Sequence, residues 1–260
     1  MTNQLKPDRR KFIQRAGAGA AALLVGGCDR LSEMSSVQNV LGAAEALTYN
    51  IQRTLLSRTD LAIEYPVTEL SSHFRANGST NPDDPDYQQA VSNGFADWRL
   101  VIDGLVDTPA RLSLAELRTL PSRTQITRHD CVEGWSCIGK WTGAPLGALL
   151  QQVSLKRNAR YLVFYCADIM ELSLGGPVKY YESIDLVDAF HPQTILAYDM
   201  NDQPLPVPYG APIRLRVERQ LGYKMAKYIM RVEAVENLAH IGDGKGGYWE
   251  DRGYEWYAGI

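Results

Sequence analysis

Apolar side chains along the 260-residue chain fall into two kinds of pattern. Between residues 36 and 58 they recur at three- and four-residue steps, through Val37, Val40, Leu41, Ala44, Leu47, Ile51 and Leu55. That spacing predicts one amphipathic helix set outside the main core. Residues 75–88 are polar and rich in Asn, Asp and Pro, and read as a loop. From residue 98 the pattern shortens to runs of strand length. Strands are predicted at 98–106, 160–166, 195–198, 205–207 and 213–217, with a weaker one at 228–235. Asn201-Asp202, between two of them, is a turn signal. The run at 213–217 alternates apolar and charged residues, as a half-buried strand should. Short helices interrupt the strands. Ser113-Leu114-Ala115-Glu116 is a capping box whose helix Pro121 ends. Residues 145–153 read as another helix, and residues 183–190 as one that Pro192 stops. Strands and helices alternate without a regular period, and no internal repeat is visible. The expectation is an α+β fold with a mixed sheet and a single main domain.

The first residues do not belong to that pattern. Asp8-Arg9-Arg10-Lys11-Phe12-Ile13 precedes a short apolar run, residues 16–27, rich in Ala and Gly. Adjacent arginines ahead of such a run resemble a twin-arginine export signal, used by proteins that cross a membrane already folded. The run is too short to span a bilayer of about 30 Å as a helix. Val25-Gly26-Gly27-Cys28 resembles a lipobox, which would put a lipid anchor on Cys28, and Asp29 resembles an inner-membrane retention signal. Residues 1–28 thus read as the signal, 29–73 as an N-terminal helical extension and 74–260 as the main domain. The expected location is the periplasm, on the inner membrane. Folded export also favours a cofactor inserted before crossing.

Composition narrows the function class. The chain is 45% hydrophobic and 22% charged, enough to bury an ordinary globular core. Without residues 1–28 it keeps 22 basic and 29 acidic side chains, a net charge of −7. An acidic surface argues against nucleic acid as a partner. The four cysteines, Cys28, Cys131, Cys137 and Cys166, include no Cys-x-x-Cys pair, so neither a zinc site nor a c-type haem site is indicated.

The chemistry concentrates in Arg128-His129-Asp130-Cys131-Val132-Glu133-Gly134-Trp135-Ser136, continuing to Lys140-Trp141-Thr142-Gly143-Ala144-Pro145-Leu146. Cys131 lies among polar, Gly and Trp residues, unlike Cys166, which sits in an apolar run and reads as a core cysteine. Arg128 and His129 beside Cys131 would favour its thiolate, the form that binds metal or attacks substrate. A second block runs from Leu205-Pro206 through Tyr209-Gly210-Ala211-Pro212-Ile213-Arg214-Leu215 to Gly222-Tyr223-Lys224-Met225-Ala226-Lys227. Arg214 offers a planar fork of donors and Lys227 a point charge, both suited to phosphate oxygens.

These ordered blocks, with His191-Pro192-Gln193-Thr194 and the final Tyr254-Glu255-Trp256-Tyr257-Ala258-Gly259, resemble the sulfite oxidase family of molybdopterin-dependent oxidoreductases, and within it the methionine sulfoxide reductases. The resemblance runs from about Phe74 to the C-terminus. It implies a molybdenum–molybdopterin cofactor with Cys131 as the protein ligand of the metal. It implies that Asn77, His129, Tyr209, Arg214, Lys224, Met225, Ala226 and Lys227 line or hold the pterin. It implies two-electron chemistry, oxygen-atom transfer on a small sulfoxide- or sulfite-like substrate. Nothing in the sequence resembles a haem domain, so electrons would pass through a separate membrane or c-type cytochrome. Gly78-Ser79-Thr80 and Tyr209 depart from the reductase pattern near the pocket. Three other readings stay open: a cofactor-free, lipid-anchored binding module of a redox complex, a thiol enzyme pairing Cys131 with His129, and a Cys131–Cys137 disulfide.

Overall fold

The structure, a computed structural model, describes residues 34, 47–54 and 57–260. The export signal, Cys28 and most of the predicted N-terminal helix lie outside the described residues. The chain divides into two compact units, residues 1–55 and 56–260. In the first, residues 47–54 are helical, within the predicted span. Everything below concerns the second unit, whose elements are numbered along it.

Two sheets build this unit. One joins β1 (Leu100–Gly104), β2 (Ala110–Leu112), β5 (Tyr161–Ser173), β6 (Gly176–Asp185) and β10 (Ile229–Val235) in the order β2-β1-β10-β5-β6. The other runs β3 (Arg123–Asp130), β4 (Ser136–Pro145), β7 (Ile195–Met200), β8 (Gln203–Pro204), with β9 (Arg214–Arg216) paired to β7. Only β1 and β10 pair in parallel; the other described ladders are antiparallel. Four helices connect them: α1 (Pro85–Ser92), α2 (Leu114–Thr119), α3 (Leu146–Val153) and α4 (Leu186–Ala189). The expected α+β class with a mixed sheet is what the chain adopts.

Strand alternation sorts the apolar residues onto faces. The main core takes Leu100, Ile102, Phe164 and Val232 from the first sheet and Leu196 and Leu215 from the second, with α3 adding Leu146, Leu149 and Leu150. The neighbours Ile195 and Ala197 point the other way, into a smaller cluster with Phe74, Cys137 and Trp141. The predicted capping box is formed: the Ser113 hydroxyl accepts from Glu116 N, and the Glu116 carboxylate accepts from Ser113 N at 2.8 Å. Asn201 and Asp202 sit at φ +51° and +63°, the left-handed turn their side chains tolerate.

Several expectations are corrected. The polar stretch 75–88 does not stay a loop. Asp84 accepts from Tyr87 N, and Pro85 opens α1 as an N-terminal proline can. Residues 183–185 continue β6, leaving α4 only a single turn. The expected strand at 205–207 shrinks to β8 just before it, and Val207 starts a 3₁₀ turn. The predicted half-buried strand is fully buried: Arg214, Leu215 and Arg216 are each 0% exposed. Its charged face meets no water because Trp141 covers it, with the Arg214 and Arg216 guanidiniums 5.0 and 4.5 Å from the ring. Residues 57–73, expected with the helical extension, contain no α-helix; Glu64 bridges Thr127 and Ser71 N donates to Ile138 O along the second sheet.

Candidate active site

β3 and β4 form a hairpin whose tip presents Cys131. Cys131 N donates to Trp135 O at 3.0 Å and Gly134 N to Cys131 O at 3.0 Å, with Gly134 at φ +84°. The tight turn leaves the thiol partly exposed on the wall of a cavity of about 180 Å³. Val132 and Glu133 line the wall beside it. Gly222, Tyr223, Met225 and Lys227 follow from the 3₁₀ turn at Gly222–Lys224 and the residues after it. Asp168 and Met170 come from a bulged part of β5 and Tyr180 from β6. Trp249 and Tyr254 of the C-terminal segment and the residues Asn77, Gly78 and Ser79 complete it.

Lys227 ties the 77–79 segment into place. Its ammonium donates to Asn77 O at 2.6 Å, to Ser79 O, and to Pro208 O at 3.2 Å. Three donors thus meet three carbonyls and no carboxylate. Burial, and then the charge of Arg214, pull Lys227 down to about 7. Arg214 is in the same position: its two terminal nitrogens reach Tyr209 O at 3.2 Å and Met225 O at 3.4 Å, and its Nε has no partner. Burial and the neighbouring Arg216 pull it down to about 9. Gly210, at φ +112°, lies between the two stems; a Cβ there would be 2.9 Å from Lys227 Cβ and 3.2 Å from Arg214 Cβ. Neither cation forms an ion pair among the described residues.

His129 lies behind this wall, fully buried, with Nδ1 3.1 Å from an Arg216 nitrogen and Nε2 without a partner. Burial, then Arg216, Arg214 and Lys227, hold it well below the usual imidazole range. The expected thiolate support for Cys131 from Arg128 and His129 is therefore absent. Arg128 turns outward to Asp130 at 2.8 Å, burial and three nearby cations disfavour the charged form of His129, and burial raises the Cys131 thiol, against a lowering by the Glu133 backbone N–H. Cys131 and Cys137 are both free, so the disulfide is not formed.

Of the residues singled out in the sequence, Cys131, Asn77, Met225 and Lys227 meet at the cavity. Arg214 and His129 stand behind it. Tyr209 donates from its hydroxyl to Phe74 O at 2.7 Å, and Ala226 is buried in the main core. Lys224 is fully buried between Glu182 and Glu250, 2.5 Å from each, and is not among the lining residues. Burial pulls its ammonium down, but the two carboxylates outweigh that and raise it. Sequence reasoning missed Asp168, a carboxyl on the cavity wall that burial pushes up to about 6. Its signal was available: an acidic residue closing an apolar strand run is costly unless something meets it.

The chain matches the oxidoreductase molybdopterin-binding domain over residues 87–240. It belongs to that family. Its members in this comparison include a relative from Azospira oryzae, provisionally named protein-methionine-sulfoxide reductase subunit YedZ1. That relative is 37% identical over 97% of this chain and 88% of its own length. The protein-methionine-sulfoxide reductase catalytic subunit MsrP of Xanthomonas axonopodis is 32% identical over 89% of this chain and 71% of its own. Among solved structures, the sulfane dehydrogenase SoxCD of Paracoccus pantotrophus matches 58% of this chain and 44% of that one at 22% identity, with a TM-score of 0.47. The chain is an oxidoreductase whose cofactor is molybdenum–molybdopterin.

The residues present fit that group. Cys131 sets a sulfur on the cavity wall, and a metal there would hold it deprotonated whatever its free acidity. Arg214 and Lys227 are buried cations without an ion-pair partner among the described residues, and a phosphate would supply one. Asp168 Oδ1, His129 Nε2 and Arg214 Nε are buried polar atoms with no partner in the chain.

Proposed function

We propose that this protein reduces a sulfoxide, with the side chain of oxidised methionine as the substrate class, on the periplasmic face of the inner membrane. The observation that carries the reading is the placement of Cys131 on a cavity whose wall also offers Met170, Val132, Trp249 and Tyr254. That wall suits the two carbon substituents of a sulfoxide better than a sulfite anion, because no unpaired cationic head group lines it apart from Lys227, which faces three carbonyls. The names of the relatives agree with it.

When bound, the molybdenum cofactor supplies two-electron oxygen-atom chemistry; the chain supplies everything around it. Cys131 would hold the metal through its sulfur on the cavity wall. Lys227 and Arg214 would offset the negative charge of the pterin's phosphate. Gly222 allows close approach of the backbone to His129 and the hairpin tip. Trp249 and Tyr254 add aromatic surface to the cavity wall. The reaction removes oxygen from sulfur with two electrons and two protons, giving the sulfide and water. The electrons come from a separate membrane or c-type cytochrome. The twin arginines and Cys28 support export in the folded state followed by lipid anchoring.

The test is an assay of purified holoenzyme with a reduced dye as electron donor. Methionine sulfoxide, free or in a peptide, should be turned over and sulfite should not. Cys131→Ser should abolish turnover and alter the molybdenum signal. Sulfite oxidation at a comparable rate would reject the sulfoxide assignment.

A further inference from the structure

β5 and β6 run out into a tip whose residues 172–178, Leu-Ser-Leu-Gly-Gly-Pro-Val, carry no charge. Leu172 is 84% exposed and Leu174 fully so, which makes them the two most exposed large apolar side chains among the described residues. The arm beneath them is pinned on both strands. Glu171 pairs with Arg252 at 2.6 Å, and Lys179 pairs with Asp84 at 2.6 Å. The turn itself is closed: Ser173 Oγ accepts from Gly175 N at 3.2 Å and donates to Gly176 O at 2.8 Å. An ordered turn therefore holds two leucines out in water. A single exposed leucine is ordinary, but this pair has a particular place. Met170, two residues before Leu172, lines the cavity that carries Cys131. Val132 and Tyr254 share that wall and are themselves exposed, so apolar surface continues from the cavity out to solvent.

At about 3.3 Å per residue, Leu172 lies roughly 7 Å and Leu174 at most roughly 13 Å beyond Met170. An extended chain covers the same span in about two to four residues. We propose that the β5–β6 tip is a docking surface for the polypeptide on either side of an oxidised methionine, with Leu172 and Leu174 taking its apolar side chains while the sulfoxide enters the cavity. The proposal rests on the sulfoxide reading of that cavity. Its occupant is a protein chain and not a bilayer. A tip sunk in lipid would bring the cavity mouth, a few residues away, against the membrane and close it to a protein substrate. The tip selects substrates and takes no part in the chemistry. It favours chains with an apolar residue near the methionine and is indifferent to free methionine sulfoxide, which cannot reach it from the cavity.

The experiment compares wild-type holoenzyme with the double variant Leu172→Ser, Leu174→Ser. The substrates are free methionine sulfoxide, a peptide with leucines three residues to either side of methionine sulfoxide, and the same peptide with serines there. Both side chains stand in water, so the variant should keep the wild-type unfolding temperature and molybdenum content. KM for the leucine peptide should rise about fivefold or more through lost apolar burial, with kcat unchanged. Kinetics on the free amino acid should not move, and the preference for the leucine peptide over the serine peptide should vanish. Leu174→Ser alone carries the comparison should the double variant not fold. An unchanged KM for the leucine peptide would overturn the proposal and leave the sulfoxide reading standing. Absence of sulfoxide turnover in the wild type would reject that reading and the proposal together. An equal loss on free methionine sulfoxide would tie the tip to the cavity itself and so reject it. Cys28→Ser holoenzyme that sediments with phosphatidylglycerol vesicles only while both leucines are present would put the tip in the bilayer, and reject it as well.

Discussion

Gly222 rests against His129 so closely that a Cβ on the glycine would lie 2.5 Å from both Cε1 and Nε2 of the imidazole. The ring cannot swing aside, because its Nδ1 is held 3.1 Å from Arg216 and 3.3 Å from Met225 Sδ. Gly222→Ala should therefore cost about 1–3 kcal/mol through overpacking and should lower the molybdenum content, since Gly222 lines the cavity. Thermal unfolding and metal analysis check both. An alanine variant with wild-type values of each would show that the wall yields more easily than this packing implies.

Lys224 is a structural cation. Replacing it by Met leaves Glu182 and Glu250 buried without a counter-charge, at a cost of about 3–5 kcal/mol. The triple variant Lys224→Met with Glu182→Gln and Glu250→Gln should recover most of that loss. Denaturant unfolding measures it. A single Lys224→Met variant that lost its cofactor while keeping full stability would move the residue back among the cofactor ligands.

Lys227 gives the cofactor-free protein a pH signature. The folded chain releases its proton at about 7, against an ordinary value of 10.5. Between those two values the unfolded chain binds the proton that the folded chain has lost. Stability should therefore rise with pH across this window, by up to about 1.4 kcal/mol per pH unit, and this contribution should be flat below it. Denaturation of pterin-free protein at pH 7, 8 and 9 reads the slope. Lys227→Met should abolish it, and an unchanged slope in that variant would place its source elsewhere.

Arg216 makes a two-pronged pair with Glu218, at 2.9 Å through Nε and 2.6 Å through a terminal nitrogen, both side chains fully buried. Lysine cannot reproduce that fork, so Arg216→Lys should cost about as much as breaking the pair, roughly 3 kcal/mol. Chemical unfolding of the two single variants and of Arg216→Met with Glu218→Gln gives the coupling. Additive losses in that cycle would contradict the pairing.

Much of this was legible in the chain. Ser113 and Glu116 announced their helix because a capping box is local and its two hydrogen bonds need nothing from the rest of the fold. Cys131 stood out because Gly and Trp neighbours do not make a core strand. What escaped depends on which face a neighbour covers. Arg214 and Arg216 read as solvent-facing because alternation reports polarity, while their burial comes from Trp141, more than seventy positions away. Asp168 looked like the tail of an apolar strand, and only the β5 bulge and the segments at 77–79 and 249–254 turn it into a cavity residue. Residues 183–185 followed a helical spacing, but pairing with β5 keeps them extended.

The parallel ladder joins Val101 to Arg231 and Gly104 to Ala234, so the strand that opens the first sheet waits for the strand that nearly ends the chain. Trp249 and Tyr254 arrive later still. A growing polypeptide therefore has no complete pocket to fill until residues 249–254 have been made. A chain ending at residue 230 would keep nine of its ten strands yet lack the β10 ladder and the part of the cavity wall that Trp249 and Tyr254 supply.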